Sequence, residues 1–88
     1  MGFTVTDVQP TPNPNAAKFI LDREISEAPV SFLNRDEGAG HPIASQLFSI
    51  KGVTSVLLLG GFVTVNKEDG AKWEPISRKV REILQKLD

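Results

Sequence analysis

The strongest constraint on the fold is an apolar stripe near the C-terminal end of the 88-residue sequence. Its members recur at steps of three, four, three, one and three, a spacing that places them on one side of an α-helix. A helix with one apolar side must bury that side against another layer of structure. The stripe consists of Trp73, Ile76, Val80, Ile83, Leu84 and Leu87, and the opposite side carries Glu74, Arg78, Glu82 and Lys86.

Two β-prone runs, residues 53–59 and residues 62–66, flank the dipeptide Gly60-Gly61. A pair of glycines between such runs favours a tight hairpin turn, because the turn requires positive φ. The three leucines at residues 57–59 interrupt the alternation of apolar and polar residues. They predict either a central strand buried on both faces or a strand with an exposed apolar patch on one face.

Three further strands are predicted in the N-terminal part of the chain. Residues 3–8 alternate between apolar and polar side chains, and residues 17–21 resume an extended pattern. The prolines at positions 10, 12 and 14 lack N–H donors, so the segment between these strands is predicted to be a turn or an extended rim. Residues 30–33, behind Pro29, predict a short strand at a sheet edge.

A second helix is predicted to begin at Pro42, because proline suits the first turn of a helix. Gly52 is its predicted C-terminal cap. Residues 34–40 contain two glycines and three charges and predict a flexible loop before this helix. His41, the single histidine, is interpreted as a residue that leads into it. The apolar stripe of the helix consists of Ile43, Leu47, Phe48 and Ile50.

Together these elements predict an α+β protein built as a two-layer sandwich. The sheet is expected to be antiparallel or mixed, with four or five strands, and both amphipathic helices are expected on one of its faces. Compact domains cluster at roughly 100–150 residues, so residues 1–88 are predicted to form one domain.

The composition argues against several classes of function. Ten Lys and Arg residues against eleven Asp and Glu residues give a net charge of -1, so binding to nucleic acid or to an anionic membrane is not expected. The sequence contains no cysteine, which excludes disulfides, thiolate ligands for a metal or an iron–sulfur cluster, and a cysteine nucleophile. No cofactor, no metal site and no enzymatic activity are predicted, because no nucleophile–base pair or cofactor loop is present.

The longest apolar stretch, residues 56–63, is far shorter than the roughly 20 residues of a membrane-spanning helix. The start of the sequence also lacks the basic region and apolar run of a secretory signal peptide. A cytoplasmic location is therefore expected.

Two features are candidates for binding, and each has a structural alternative. Trp73 is either an anchor at the edge of the core, which is the favoured interpretation, or a dedicated binding residue. Residues 11–15, Thr-Pro-Asn-Pro-Asn, are either a stiff connection or a surface for a partner. Three prolines rigidify this segment, which lowers the entropic cost of binding.

The sequence resembles the N-terminal domain of the Nfu (NifU-like) iron–sulfur cluster scaffold and carrier proteins. The combination of the Pro-Asn motif with the distant Asp-Gly-Ala-x-Trp motif carries most of the resemblance, which extends over nearly the whole chain. The resembling segments are residues 11–15, 18–20, 47–48, 52–53, 55–56, 62–65 and 69–71, with Ile50, Lys67, Trp73 and Glu74.

The resemblance implies a small α/β sandwich and a place in iron–sulfur cluster assembly. In full-length family members a separate C-terminal domain with a Cys-x-x-Cys pair holds the cluster, whereas these 88 residues have no cysteine. The expected function is therefore an accessory domain that recognises a protein, either a cluster scaffold or a client apoprotein. The alternative is a general peptide- or protein-binding module with no link to iron–sulfur assembly, which would pair an extended peptide with an exposed strand edge. The residues expected to face a partner are Thr11, Asn13, Asn15 and Lys18, with Asp69, Gly70 and Trp73 as a second patch.

Overall fold

The computed structural model describes residues 2–87 and has an α+β architecture in two layers. Five strands form one sheet in the order β1-β2-β5-β4-β3, and each neighbouring pair is antiparallel. This confirms the predicted fold class and the five-strand alternative. The elements are β1 (Val5–Pro10), β2 (Ala16–Leu21), β3 (Ser26–Phe32), α1 (Arg35–Gly38), α2 (Ala44–Phe48), β4 (Val53–Gly60), β5 (Phe62–Lys67) and α3 (Trp73–Lys86).

The hairpin of β4 and β5 forms where the glycine pair predicts it. Leu59 pairs with Phe62 across the turn, and Gly60 has a φ of +52°. Of the two glycines, only Gly60 adopts the left-handed conformation that disfavours other residues. Strand β5 then pairs with β2, which places β5 at the centre of the sheet.

One face of the sheet and the apolar sides of α2 and α3 enclose the core. Alternate residues of the central strands point to this face, as the period of two requires. Burying each large apolar side chain in such a core contributes about 1.5–3 kcal/mol. The core includes Phe19, Val56, Leu58, Val63 and Val65 from the sheet, Leu47 and Phe48 from α2, and Ile76, Val80 and Leu84 from α3.

The leucine run fits neither of the two predicted interpretations in full. Leu58 is 1% exposed and belongs to the core. Leu57 and Leu59 are half-buried and point to the opposite face, where Leu59 lies across from Phe62. The run therefore places one leucine in the core and two on the other face of the sheet.

Several boundaries differ from the predictions, most of them by one or two residues. Strand β1 extends to Pro10. Proline cannot donate a ladder hydrogen bond, but β1 is an edge strand, where proline is tolerated. Strand β3 is longer than predicted, and its pairing with β4 is irregular between Ser26 and Val30, around Pro29. Helix α2 begins at Ala44 rather than at Pro42, and its C-terminal cap is Ser49 rather than Gly52.

The predicted loop at residues 34–40 contains a short helix, α1. The Oδ1 atom of Asn34 accepts a hydrogen bond from the Glu37 amide (2.9 Å), and Glu37 Oε1 accepts one from the Leu33 amide (3.0 Å). These reciprocal bonds resemble a capping box, which satisfies free N–H groups at the start of a helix. The flexible-loop prediction was wrong because it weighed the two glycines and overlooked the spacing of Asn34 and Glu37.

Within residues 2–87, no helix is long and apolar enough to cross a membrane.

Candidate recognition surface

The loop between β1 and β2 is folded by its own side chains. Thr11 Oγ1 accepts a hydrogen bond from the Asn13 amide (3.1 Å) and lies within donating distance of the carbonyl oxygens of Asn13 (2.9 Å) and Ala16 (3.2 Å). Asn13 Oδ1 accepts a hydrogen bond from the Asn15 amide (2.9 Å). Asn and Thr commonly stabilise turns through such local bonds, since their short side chains reach the backbone two residues away. The Thr-Pro-Asn-Pro-Asn sequence thus specifies a defined turn.

Two side chains from distant parts of the chain attach this loop to the rest of the molecule. Lys67 Nζ donates a hydrogen bond to Asn15 Oδ1 (2.8 Å), and the Lys67 amide donates to the Asn15 carbonyl oxygen (2.7 Å). The Trp73 indole Nε1 donates to the Pro14 carbonyl oxygen (3.0 Å). The ring of Trp73 also packs against the buried ring of Phe19, with the centroids 6.4 Å apart. The loop is therefore fixed to the end of β5 and to the first residue of α3.

The fixed turn leaves Pro12, Asn13 and Pro14 exposed. We call these three residues, with the half-buried Trp73, the Pro-Asn surface. A shallow groove of about 330 Å³ lies between the loop and α3, with Trp73 and Ser77 on its helical side. The side chains of Thr11 and Asn15 are half-buried and engaged within the loop, so their contacts position the exposed residues.

Lys18 does not join this surface. It lies on β2 between the buried residues Ala17 and Phe19, so its side chain points to the sheet face opposite the core. There its Nζ atom lies 4.1 Å from the centroid of the Phe62 ring, a cation–π contact. The structure thus separates Lys18 from the other predicted residues.

Asp69 and Gly70 lie in the turn between β5 and α3, where Gly70 has a φ of +90°. Both are exposed and line a second groove, on the other side of the first turn of α3 from the Pro-Asn surface. The second predicted patch is therefore split, because Trp73 contacts the β1–β2 loop while Asp69 and Gly70 face a different groove.

Sequence reasoning missed the role of Lys67 in holding the loop. Lys67 is the last residue of β5, and its contact with Asn15 bridges 52 positions in the chain. The resemblance already included Lys67, which was the available signal that this lysine has a specific contact.

The structure also bears on the predictions for a metal site and for His41. Among residues 2–87, no group of three or more His, Asp or Glu side chains could hold a metal ion. The Nδ1 atom of His41 accepts hydrogen bonds from the amides of Ile43 and Ala44, both at 3.2 Å. As interpreted from the sequence, His41 leads into a helix.

A sequence model of the family described as "Scaffold protein Nfu/NifU N terminal" matches residues 5–87. The chain belongs to this family. The match covers every strand and helix described above, including the Pro-Asn loop and the start of α3.

Two curated relatives illustrate the extent of the similarity within the Nfu/NifU N-terminal family. The chain is 33% identical over 78 residues to the mitochondrial NFU1 iron-sulfur cluster scaffold homolog of Drosophila ananassae. It is 33% identical over 73 residues to the mitochondrial NifU-like protein 4 of Arabidopsis thaliana. These matches cover 86% and 82% of this chain but 27% and 26% of the relatives. The chain thus spans about a quarter of the length of the curated relatives it matches.

Solved structures agree with the family assignment. The solution structure of a NifU-like protein from Saccharomyces cerevisiae superposes with a TM-score of 0.81 at 27% identity, covering 94% of this chain and 77% of that one. The crystal structure of SAV1430 from Staphylococcus aureus superposes with a TM-score of 0.72 at 25% identity, covering 91% and 96%. The names of the two curated relatives carry the word mitochondrial, and the cytoplasmic location expected for this chain stays a prediction.

Proposed function

We propose that this chain is an accessory recognition domain of iron–sulfur cluster assembly that binds a protein partner through the Pro-Asn surface. Membership of the Nfu/NifU N-terminal family supports the pathway. The observation that carries the choice of surface is the attachment of the loop by Lys67 and Trp73. Residues 1–88 act as one domain in this proposal.

Attachment of the β1–β2 loop by Lys67 and Trp73 favours binding, because ordering flexible contact residues on binding costs entropy. Each immobilised side chain or loop residue lowers the affinity, and a surface that is already rigid avoids part of this cost. In the Pro-Asn surface two of the three exposed loop residues are prolines, whose φ is fixed. The carbonyl of Pro14 and the side chain of Asn15 are both held from outside the loop. The surface is therefore formed before a partner arrives.

Roles follow for the individual residues. The side-chain NH₂ group of Asn13 is the polar group offered to a partner, while Pro12, Pro14 and Trp73 supply apolar contact area. Thr11, Asn15 and Lys67 position these groups. Lys18, Asp69 and Gly70 lie outside this surface and take no part in this contact.

The proposal assigns recognition to these 88 residues and cluster chemistry to a domain outside them. Iron–sulfur clusters are held by cysteine thiolates, and the 88 residues contain none. The partner is accordingly a Cys-x-x-Cys cluster domain or an apoprotein that receives the cluster. No catalytic step is assigned to the chain.

The alternative, a general module that pairs peptides with a strand edge, has less support. The edge strand β3 contains Pro29, which cannot donate a ladder hydrogen bond, and its pairing with β4 is irregular there. On the other edge strand, β1, the amide of Val8 donates to the side chain of Asp7 (2.9 Å). Prolines and bulges protect edges from strand addition.

The test is an NMR titration of the isotope-labelled chain with a purified Cys-x-x-Cys cluster domain and with an apo iron–sulfur protein from the same organism. We expect the amides of residues 13 and 15 and the Trp73 indole N–H to shift. The variant Asn13→Asp retains the oxygen that accepts from the Asn15 amide but replaces the exposed NH₂ group with a negative charge. It should lose binding without losing the turn.

The control variant is Lys18→Ala, which alters the opposite face of the sheet and should bind as the native chain does. Affinity capture from lysate of the source organism, read by mass spectrometry, should enrich the same partners. Equal binding by Asn13→Asp would reject the surface, and failure of both purified partners to bind would reject the assignment to iron–sulfur assembly.

A further inference from the structure

A groove of about 580 Å³ lies beside the first turn of α3, apart from the Pro-Asn surface. Its lining includes both apolar residues and lysines. We call it the lysine groove and define it by the floor residues Ile50, Ala71, Pro75 and Ile76 and the lysines Lys51, Lys72 and Lys79.

The floor of the groove is closely packed and fixed by backbone bonds. Gly52 has a φ of +99°, and a Cβ atom added there would lie 3.1 Å from Ala71 Cβ and 3.4 Å from Ile76 Cδ1. The Gly52 carbonyl oxygen accepts a hydrogen bond from the Glu68 amide (2.7 Å). The turn before β4 and the turn before α3 are thus joined directly, and the groove between them is preformed.

The three lysines come from two separate parts of the chain and are all exposed. Lys51 lies between α2 and β4, whereas Lys72 directly precedes α3 and Lys79 lies on it. Within residues 2–87, no carboxylate lies within 4.0 Å of the Nζ atom of any of these lysines. The groove therefore has an apolar floor and three ammonium groups with no ion-pair partner in the described part of the chain.

The distribution of charge along the chain agrees with this local arrangement. Residues 72–87 carry five basic side chains against Glu74 and Glu82, whereas residues 2–50 carry three basic and six acidic side chains. The molecule thus has a basic helix in a chain whose net charge is -1. Complementary charge steers an acidic partner to such a surface.

The carboxylates of Glu68 and Asp69 also line the lysine groove and limit the classes of partner that it can bind. A nucleic-acid strand or an anionic membrane presents continuous negative charge, which these carboxylates would repel. A polypeptide can instead place separate carboxylates at the lysines and an apolar side chain on the floor.

We propose that the lysine groove binds an acidic segment of a partner protein, with an apolar side chain of that segment on the floor formed by Ala71, Pro75 and Ile76. This site goes beyond the proposed function and does not depend on the Pro-Asn surface, because the two grooves lie on opposite sides of the first turn of α3.

The experiment titrates the labelled chain with a synthetic peptide in which a Leu-Phe pair is flanked by glutamates. We expect saturable shifts at the amides of Gly52, Ala71 and Ile76, weakened by salt. The double variant Lys51→Glu/Lys79→Glu should lose about tenfold in affinity, as expected for charges at the edge of a contact. The matched control Arg81→Glu/Lys18→Glu makes the same change of net charge and should bind as the native chain does, because Arg81, two positions after Lys79, lies on another side of α3 and Lys18 lies on the sheet face opposite the core.

Further probes decide the class of ligand. A peptide of glutamates without the Leu-Phe pair, a lysine-flanked Leu-Phe peptide, a single-stranded oligonucleotide and vesicles with anionic lipid should all bind more weakly. The proposal is overturned if the acidic peptide does not bind, if both double variants lose affinity equally, or if any of these four probes binds as well. Loss of peptide binding in Asn13→Asp would show that the Pro-Asn surface and the lysine groove are one site, which would also overturn the proposal. If Asn13→Asp still binds the peptide, the lysine groove acts independently of the Pro-Asn surface, and failure of the proposed function leaves this result unaffected.

Discussion

The indole Nε1 of Trp73 donates a 3.0 Å hydrogen bond to the carbonyl oxygen of Pro14, 59 positions earlier in the chain. The same ring packs against Phe19 in the core. Trp73 therefore takes the structural role that was the favoured interpretation of its sequence position, while its role as a binding residue stays a prediction. It anchors the edge of the core, and it fixes the loop that we propose as a recognition surface.

Replacing Trp73 with Phe tests the second of these roles. The substitution retains an aromatic ring against Phe19 but removes the donor to Pro14. Because the Pro14 carbonyl is exposed and can bond to water, we expect a loss of about 0.5–1.5 kcal/mol in the free energy of unfolding. Urea denaturation measures this change. Amide exchange at Asn13 and Asn15 should become faster, and unchanged exchange would mean that the indole bond does not hold the loop.

The bond between Lys67 Nζ and Asn15 Oδ1 is the second attachment and can be measured by a double-mutant cycle. The variants are Lys67→Met, which retains most of the aliphatic stem, and Asn15→Ala. The bond is partly buried, so we expect a coupling free energy of about 1 kcal/mol. Additive effects of the two substitutions would show that the contact contributes nothing. Thr54, exposed on β4, is the control position at which an alanine substitution should not couple to Asn15→Ala.

Most of the fold follows from local patterns in the sequence. Residues Trp73–Lys86 form helix α3 because an apolar stripe of period 3.6 favours a helix wherever another layer of structure covers the stripe. The β4–β5 hairpin follows from Gly60, since its positive φ is costly for other residues. Helix α1 was predictable in principle from Asn34 and Glu37, because a capping box is a local signal.

The candidate site was less predictable, because it depends on which elements meet in space. The alternation of β2 could have shown that Lys18 faces away from its buried neighbours Ala17 and Phe19. No local signal, however, shows that Trp73 contacts Pro14 or that Asp69 faces another groove. Those contacts are set by the packing of α3 across the sheet, which sequence spacing does not encode.

His41 is predicted to stabilise the start of α2. Its Nδ1 accepts from the amides of Ile43 and Ala44, which otherwise have no partner at this helix end. We expect His41→Ala to cost about 1 kcal/mol, the typical cost of losing an N-terminal cap. His41→Asn supplies another short acceptor and should recover part of the loss. Thermal unfolding followed by circular dichroism compares the three chains, and equal stability of all three would contradict this role.

Gly38 is predicted to be required by the packing of the buried ring of Phe48. A Cβ atom at position 38 would lie 2.6 Å from both Cδ2 and Cε2 of that ring, which is 1% exposed and has little room to move. Gly38→Ala should therefore destabilise the chain by about 1–3 kcal/mol through overpacking. The matched control is Gly40→Ala in the same segment, where an added Cβ atom has no neighbour within 4 Å. It should be neutral or stabilise the chain by up to about 1 kcal/mol, because alanine restricts the unfolded chain. Urea denaturation of both variants measures the difference, and equal stability would mean that α1 moves away from Phe48 at little cost.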